Sequence, residues 1–362
     1  MEQLQQPTRA AAHRTNNSPF WTQFYTVSYL ILFSIFGTLA RLGLQALTNY
    51  PGTPVAFASI WPNFAGSLVM GFLLEDRVLF RDASLPFKNE ENAASAKQAH
   101  AALKKTIPLY IGLATGFCGS LTSFSAFMRD TLLALVNDLP ASSPHHRSGG
   151  HSFLALLAVP VVTLSLSLSA FSLGIHLGAA LASLAPRLLA RAPSVYGGHL
   201  LLDRLAVLLG WGCWLGAVLL SALAPADYAS WRRDATLALV FAPLGCLARF
   251  CVSLWLNPRI ATFPVGTFLV NLVGTGVLAL AWDLAHSGVV TVTIGCQLLA
   301  GIQDGFCGCL TTVSTWVAEL SALKRKHAYV YGGASVLCGV VIVIAVMGGL
   351  RWSGNYEAGA CR

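Results

Sequence analysis

Residues 116–127 read Gly-Phe-Cys-Gly-Ser-Leu-Thr-Ser-Phe-Ser-Ala-Phe, and residues 305–316 read Gly-Phe-Cys-Gly-Cys-Leu-Thr-Thr-Val-Ser-Thr-Trp. Both copies lie inside long apolar stretches, yet both carry glycines and a dense run of hydroxyls. A helix crossing a bilayer has no use for so many helix-weakening residues unless its backbone is needed at that depth. Irregular backbone is tolerated in hydrocarbon only where protein buries it or where it lines a cavity. Paired interruptions at corresponding places point to an inverted-repeat transport protein with its site at the breaks.

Composition fixes the class. The 362 residues are 55% hydrophobic and 10% charged, with a mean hydropathy of +0.63. Soluble domains carry about 25% charged residues, so the chain reads as an all-α integral membrane protein with the lipid bilayer as its solvent. The net charge of +8 sits in loops between apolar spans, with no basic groove interleaved with aromatics, so no nucleic-acid partner is expected. The nine histidines are scattered, and no metal-ligand spacing, nucleophile elbow or phosphate loop occurs, so an enzyme is not expected. Nine cysteines without a Cys-x-x-Cys pair, most of them inside spans, are expected to be small buried hydrophobes rather than a disulfide framework.

A helix needs about 20 mainly apolar residues to cross the hydrocarbon core. On that rule nine spans fall at 24–47, 60–79, 107–136, 153–184, 205–223, 235–256, 264–284, 292–323 and 330–350. They repeat as four, one, four. Gly37-x-x-x-Arg41 is echoed by Gly245-x-x-x-Arg249, and Asn63-x-x-Gly66 by Asn271-x-x-Gly274, both 208 residues later. The glycine–hydroxyl stretch is offset by only 189, because the polar loop at 75–106, expected to be solvated and disordered, is far shorter in the second half. The expected division is a tail at 1–23, a first four-helix repeat at 24–186, a linker with one transmembrane helix at 187–234, a second repeat at 235–351 and a tail at 352–362.

An odd fifth span makes the second repeat enter the membrane from the opposite face. With the N-terminus on one side, 15 of the 23 lysines and arginines fall on that side and six on the other, with Arg41 and Arg249 inside spans. The positive-inside rule then places the N-terminus in the cytoplasm and the C-terminus outside. The N-terminal tail runs into a full-length span rather than the short apolar core of a cleavable leader, so it is expected to be retained.

Several residues have two readings. Asn63 and Asn271 are either hydrogen-bonded helix–helix contacts or amide donors in an anion path, since a buried amide without a partner costs a few kcal/mol. Ser123, Ser125, Thr312 and Ser314 extend such a donor row. So do Tyr331 with Ser335, at helical i, i+4 spacing, and the fourth-span serines Ser165, Ser167, Ser169 and Ser172. Phe124 and Phe127 share a helix face and either pack or turn electropositive ring edges to an anion. Arg41 and Arg249 either draw anions into a vestibule, or snorkel, or pair with carbonyls. At the breaks, Gly119, Thr122, Gly308 and Thr311 are placed to offer backbone carbonyls to a desolvated cation.

These motifs resemble the fluoride channel family, the dual-topology bacterial fluoride channels and their fused eukaryotic exporters. The resemblance rests on Gly-x-x-x-Arg in the first helix, Asn-x-x-Gly in the second and Gly-Phe-Cys-Gly-x-x-Thr-Thr-Phe-Ser-Thr-Phe in the third, and it covers both repeats. It implies passive, selective export of fluoride across the plasma membrane by a single chain equivalent to an antiparallel dimer, monomeric as a pseudo-dimer. It implies that Asn63, Asn271, Phe124 and Phe127 line pores, that Asp130 and Glu319 lie at pore mouths, and that the carbonyls of Gly119, Thr122, Gly308 and Thr311 hold a central structural Na+. The second repeat departs from the pattern with Val313 and Trp316 at the phenylalanine positions, and the first with Ser123 and Ala126 for threonines. One working pore and one degraded pore are therefore expected, with Phe124→Ile abolishing flux and Trp316→Phe changing little. Asn amides, hydroxyls and ring edges carry no net charge and offer no proton relay, which favours a channel over a proton-coupled pump. Another inverted-repeat transporter and a non-conducting membrane scaffold remain as alternatives.

Overall fold

The computed structural model describes residues 19–50, 52–76, 79–80, 93–139, 147–188, 200–223, 235–290, 292–354, 356–357 and 361. Among them the chain is helical, with no strand. The first repeat comprises α1 (Pro19–Thr48), α2 (Ile60–Glu75), a divided third helix and α6 (Gly149–Leu188). The linker helix is α7 (Leu200–Leu223). The second repeat comprises α8 (Leu237–Leu256), α9 (Val265–His286), its own divided helix and α12 (Arg325–Val343), which continues through a π-helical stretch (Ile344–Gly348) to Gly349–Trp352. Among the described residues, seven helices are individually long and apolar enough to cross a membrane. The other two expected spans are the 16-residue α2 and the divided helix of the second repeat.

Both third helices break as the glycines and hydroxyls suggest. In the first repeat, α4 starts at Pro108–Ile111, loosens into π-helix over Gly112–Cys118 and closes with Gly119–Leu121. Thr122 then turns extended (φ −93°, ψ 149°), and α5 restarts at Phe124–Leu135. In the second, α10 runs from Thr293–Gly301 through π-helix at Ile302–Cys307 to Gly308–Leu310, Thr311 is extended (φ −95°, ψ 152°), and α11 is Ser314–Ala322. π-Helical turns inside α-helices are rare and collect at functional sites.

The glycine of each Gly-x-x-x-Arg motif is a close approach. A Cβ on Gly37 would strike the Phe117 carbonyl oxygen, and one on Gly245 the equivalent Phe306 oxygen. The first helix of each repeat thus lies directly on the loosened backbone of the third. The linker α7 packs on both first helices: Trp211 Nε1 donates to Ser28 Oγ (3.1 Å), Tyr29 OH to Asp203 (3.1 Å) and Trp214 Nε1 to the Val240 carbonyl (2.9 Å). The rest of α7 presents exposed leucines, as a lipid-facing helix does.

Two expectations are corrected. The 75–106 region contains a helix, α3 (Ala93–Lys104), whose buried Lys104 Nζ donates to the carbonyls of Leu73, Leu74 and Asp76 at 2.7–2.9 Å. An ammonium there satisfies carbonyls left open at the end of α2 and complements its dipole. Residues 77–78 and 81–92 of that region, and 1–18 of the N-terminal tail, lie outside the described residues. Not every cysteine is a lone hydrophobe either: Cys296 and Cys361 form a disulfide. It ties the tail to the start of α10, and Tyr356 of the same tail stacks on Trp282 and His286 while its hydroxyl donates to Asp138 (3.2 Å) at the end of α5.

Candidate pore and the crossed breaks

Each break is held by three kinds of side chain. The first is the asparagine of the same repeat. Asn63 Oδ1 accepts from the Ser123 N–H (2.9 Å) and its Nδ2 donates to the Ser123 carbonyl (3.5 Å). Asn271 does the same with Thr312, at 2.8 and 3.1 Å. Both amides are thus bonded to the broken backbone, and each keeps a second N–H, since an amide nitrogen carries two.

The second is a threonine from the opposite repeat. Thr122 Oγ1 accepts from the Val313 and Ser314 N–H groups (3.2 and 3.1 Å), capping α11, and Thr311 Oγ1 accepts from the Ser125 N–H (3.1 Å), capping α5. An N-cap hydroxyl is worth about 1 kcal/mol, and here each repeat supplies the other's. Ser123, Ser125, Thr312 and Ser314 belong to this buried network: Ser125 Oγ lies 3.0 Å from Thr311 Oγ1, Thr312 Oγ1 lies 3.2 Å from Thr122 Oγ1, and Ser314 Oγ donates to the Cys118 carbonyl. They stitch the halves together rather than standing in an open row.

The third is an arginine, and its position corrects the vestibule expectation. Arg41 and Arg249 are each 2% exposed. Arg249 donates from Nη2 to the Thr115 carbonyl of the other repeat (2.9 Å) and from Nε to the Cys309 carbonyl (2.7 Å), and Arg41 Nη2 donates to the Asp304 carbonyl. Thr115 and Asp304 are equivalent positions. What each contributes is a backbone carbonyl, so the side chain there is free to differ. Each guanidinium lies where a Cβ on Gly119 or Gly308 would fall, which accounts for those glycines.

The four carbonyls implied for Na+ fit a cation by a separate count. In a continuous helix Gly119, Thr122, Gly308 and Thr311 would receive the N–H groups of Ser123, Ala126, Thr312 and Thr315. Every one of these donors is diverted: to Asn63, to Ser123 Oγ, to Asn271 and to Thr312 Oγ1. The four carbonyl oxygens thus lose the N–H partners that a continuous helix would give them.

Beyond the breaks, α5 packs on α9 and α12, and α11 on α2 and α6, so each half-site is built from both repeats. Along α12 a buried stripe runs Tyr331, Ser335, Gly339, Val343, and along α6 it runs Val159, Thr163, Ser167, Phe171, at a constant offset of 172. Of the four fourth-span serines only Ser167 faces inward, and Thr163 and Val159 are residues that only this alignment of stripes reveals. Phe124 reaches α12, because a Cβ on Gly339 would lie 3.1 Å from its Cε1, and it meets Trp316 edge to face at 5.4 Å. Trp316, expected to mark the degraded side, therefore shares its half-site with Phe124. Phe127 also touches Phe124, at 5.6 Å, and the twofold relation pairs it with Val313 in the other half.

The two acidic positions, Asp130 and Glu319, differ as well. Glu319 accepts from Tyr331 OH (2.7 Å), Thr267 Oγ1 (2.7 Å) and Asn257 Nδ2 (3.1 Å). Asp130 accepts from the Ser59 N–H (2.9 Å) and lies 3.6 Å from Arg129 Nε.

Comparison with known proteins agrees with this architecture. The model of the family described as CrcB-like protein, Camphor Resistance (CrcB), matches residues 28–175 and 236–349, one match per repeat. The chain is 56% identical to Fluoride export protein 1 of Neurospora crassa, over 97% of this chain and 71% of that one. It is 34% identical to Fluoride export protein 1 of Candida albicans, over 88% and 78%. A single repeat suffices for the Fluoride-specific ion channel FluC of Syntrophotalea carbinolica, 34% identical over 30% of this chain and 87% of that one. No solved structure matches. With both repeats matched and full-length relatives above 30% identity, the chain belongs to the CrcB-like family.

Proposed function

We propose that this protein is a fluoride channel that lets fluoride leave the cell passively, and that one path, in the half-site of Phe124 and Trp316, carries the ion. Fluoride is small and strongly hydrated, so a path must replace its water with close donors that also release it. The observation that carries the reading is the crossed half-site. Phe124 from one repeat meets Trp316 from the other beside Tyr331, Ser335 and Gly339, in a chain whose relatives are named for fluoride export. Asn271 lies in the same half, with one amide N–H on Thr312 and one to offer. Ring edges supply weak positive potential without a full charge that would trap the ion.

The same reading makes Glu319 the cytoplasmic mouth of this path and Asp130 the outer mouth of its counterpart. The cytoplasmic N-terminus and external C-terminus are supported by the excess of basic residues on one side. They are supported independently by the Cys296–Cys361 disulfide, which belongs in an oxidising compartment. Plasma-membrane residence fits an exporter. The diverted carbonyls of Gly119, Thr122, Gly308 and Thr311 would hold a Na+ that keeps the two breaks in register. A single chain supplies both halves, so no second copy is required.

The test is fluoride efflux from liposomes containing the purified protein, read with a fluoride electrode in the presence of valinomycin, with chloride as control. Rapid fluoride release without chloride release is expected. Absence of release from folded protein overturns the reading.

A further inference from the structure

The hydroxyl groups gathered around this path have spent their protons. Tyr331 OH and Thr267 Oγ1 donate to Glu319, Ser335 Oγ to the Tyr331 carbonyl (2.7 Å) and Thr275 Oγ1 to the Asn271 carbonyl (2.7 Å). A hydroxyl carries one proton, so each of these presents only lone pairs to whatever else is near. An anion needs donors. Trp316 differs from them all. Its ring is wholly buried, yet its indole Nε1 has no partner among the described residues. An indole N–H is a donor only, and leaving it unmet in a buried site carries the full desolvation cost of that group. Its ring is also placed toward the path: Cζ2, next to the carbon that bears Nε1, is the indole atom nearest Gly332 on α12, and the ring meets the edge of Phe124. The phenylalanine at the equivalent position of the first repeat, Phe127, has no such proton.

We infer that the Trp316 indole N–H is a hydrogen-bond donor to the permeating anion, supplying with the second Asn271 N–H what the committed hydroxyls do not. This rests on the fluoride reading above and adds to it a residue that sets ion binding. It also reverses the expectation that Trp316→Phe is silent.

Two measurements test it. Trp316→Phe keeps an aromatic ring against Phe124 but removes the donor. A hydrogen bond to a charged group is worth about 1.5–3 kcal/mol, so fluoride efflux is expected to fall roughly tenfold or more. In protein labelled with 15N-tryptophan, the Trp316 indole resonance, assigned by its shift in Phe124→Leu, is expected to move on titration with sodium fluoride and not with sodium chloride. This second measurement uses the unaltered site, so it decides the matter even if Trp316→Phe fails to fold. Unchanged efflux in a folded Trp316→Phe protein, or an indole resonance indifferent to fluoride, overturns the inference. Wild-type protein that carries no fluoride but shows the resonance shift would sink the channel reading and leave the donor assignment standing.

Discussion

The two half-sites start from the same residues and end differently, and the fourth helices show why. In the second repeat, α12 presents Tyr331, Ser335 and Gly339, and the space over Gly339 is taken by Met128 and the ring edge of Phe124. In the first, α6 presents Val159, Thr163 and Ser167, and the residue that corresponds to Phe124 is the smaller Val313. Large against absent in one half has become small against small in the other, so each half fills its volume by a different division. The first half goes further. Gly71 of α2 lies against the Phe171 carbonyl and Gly174 of α6 against the Leu68 carbonyl, so these helices touch backbone to backbone. The equivalent positions in the second repeat are Ala279 and Val346, which carry side chains where the first repeat has glycines. Once a duplicated channel needs one path, the other half is free to be packed as structure.

The largest expected effect separates the halves by filling each in turn. Gly339→Leu would drive a side chain into Phe124 and Met128, and Phe124→Ile would remove the ring edge. Either change raises the passage barrier by about 3 kcal/mol, a loss of ~100-fold in fluoride efflux. Ser167→Leu, the matching insertion in the first half, is expected to lower the melting temperature through overpacking of about 1–3 kcal/mol while leaving efflux within about threefold of wild type. Equal losses of efflux from Gly339→Leu and Ser167→Leu would show that both halves conduct.

The asparagines give a smaller contrast. Asn63→Ser and Asn271→Ser each uncover a buried backbone N–H at a break, costing about 1–3 kcal/mol of stability in both cases. Only Asn271→Ser is expected to reduce efflux, by roughly tenfold beyond what its folded fraction explains. Paired thermal unfolding and efflux measurements separate the shared structural duty from the one that a single half performs. If Asn63→Ser costs the same efflux, the assignment of the path to the half-site of Phe124 and Trp316 fails.

A third expectation concerns stability alone. Cys296→Ser removes a disulfide that closes 65 residues, worth about 2–4 kcal/mol, so the melting temperature is expected to drop by several degrees with efflux retained. Membrane-impermeant maleimide applied to intact cells should label the protein only after external reduction. Labelling that requires permeabilised cells would place this end of the chain inside.

The membrane class, the repeats and both breaks were legible in the sequence, because apolar length, recurring motifs and helix-weakening residues are local signals. What was not legible lies between the repeats. Thr122 caps a helix that begins almost 200 residues later, and Arg249 bonds a carbonyl 134 positions earlier. Nothing in the neighbourhood of either residue records its partner. Arg41 and Arg249 invited a vestibule reading because a charge in a span is expensive, and the structure meets that cost with backbone carbonyls of the two third helices. The partner of Cys296 was equally hidden, since nine cysteines with no motif allow many pairings.

The smallest expected effect tests how deep the asymmetry runs. Tyr331→Phe leaves Glu319 with Thr267 and Asn257 as donors and keeps the ring, so efflux should fall only about threefold, less than one hydrogen bond to a charge is worth. The converse change, Val159→Tyr, gives the first repeat a hydroxyl at the position that reaches the acidic mouth in the second. In a Phe124→Ile background it should restore no fluoride efflux, because the contact of Gly71 with the Phe171 backbone lies deeper in that half and a side chain at position 159 leaves it in place. Recovery of efflux in that double variant would mean that the first half is held shut by one residue and that the helix contact is incidental. Failure to recover locates the closure in the backbone packing of α2 on α6, where a single substitution does not reverse it.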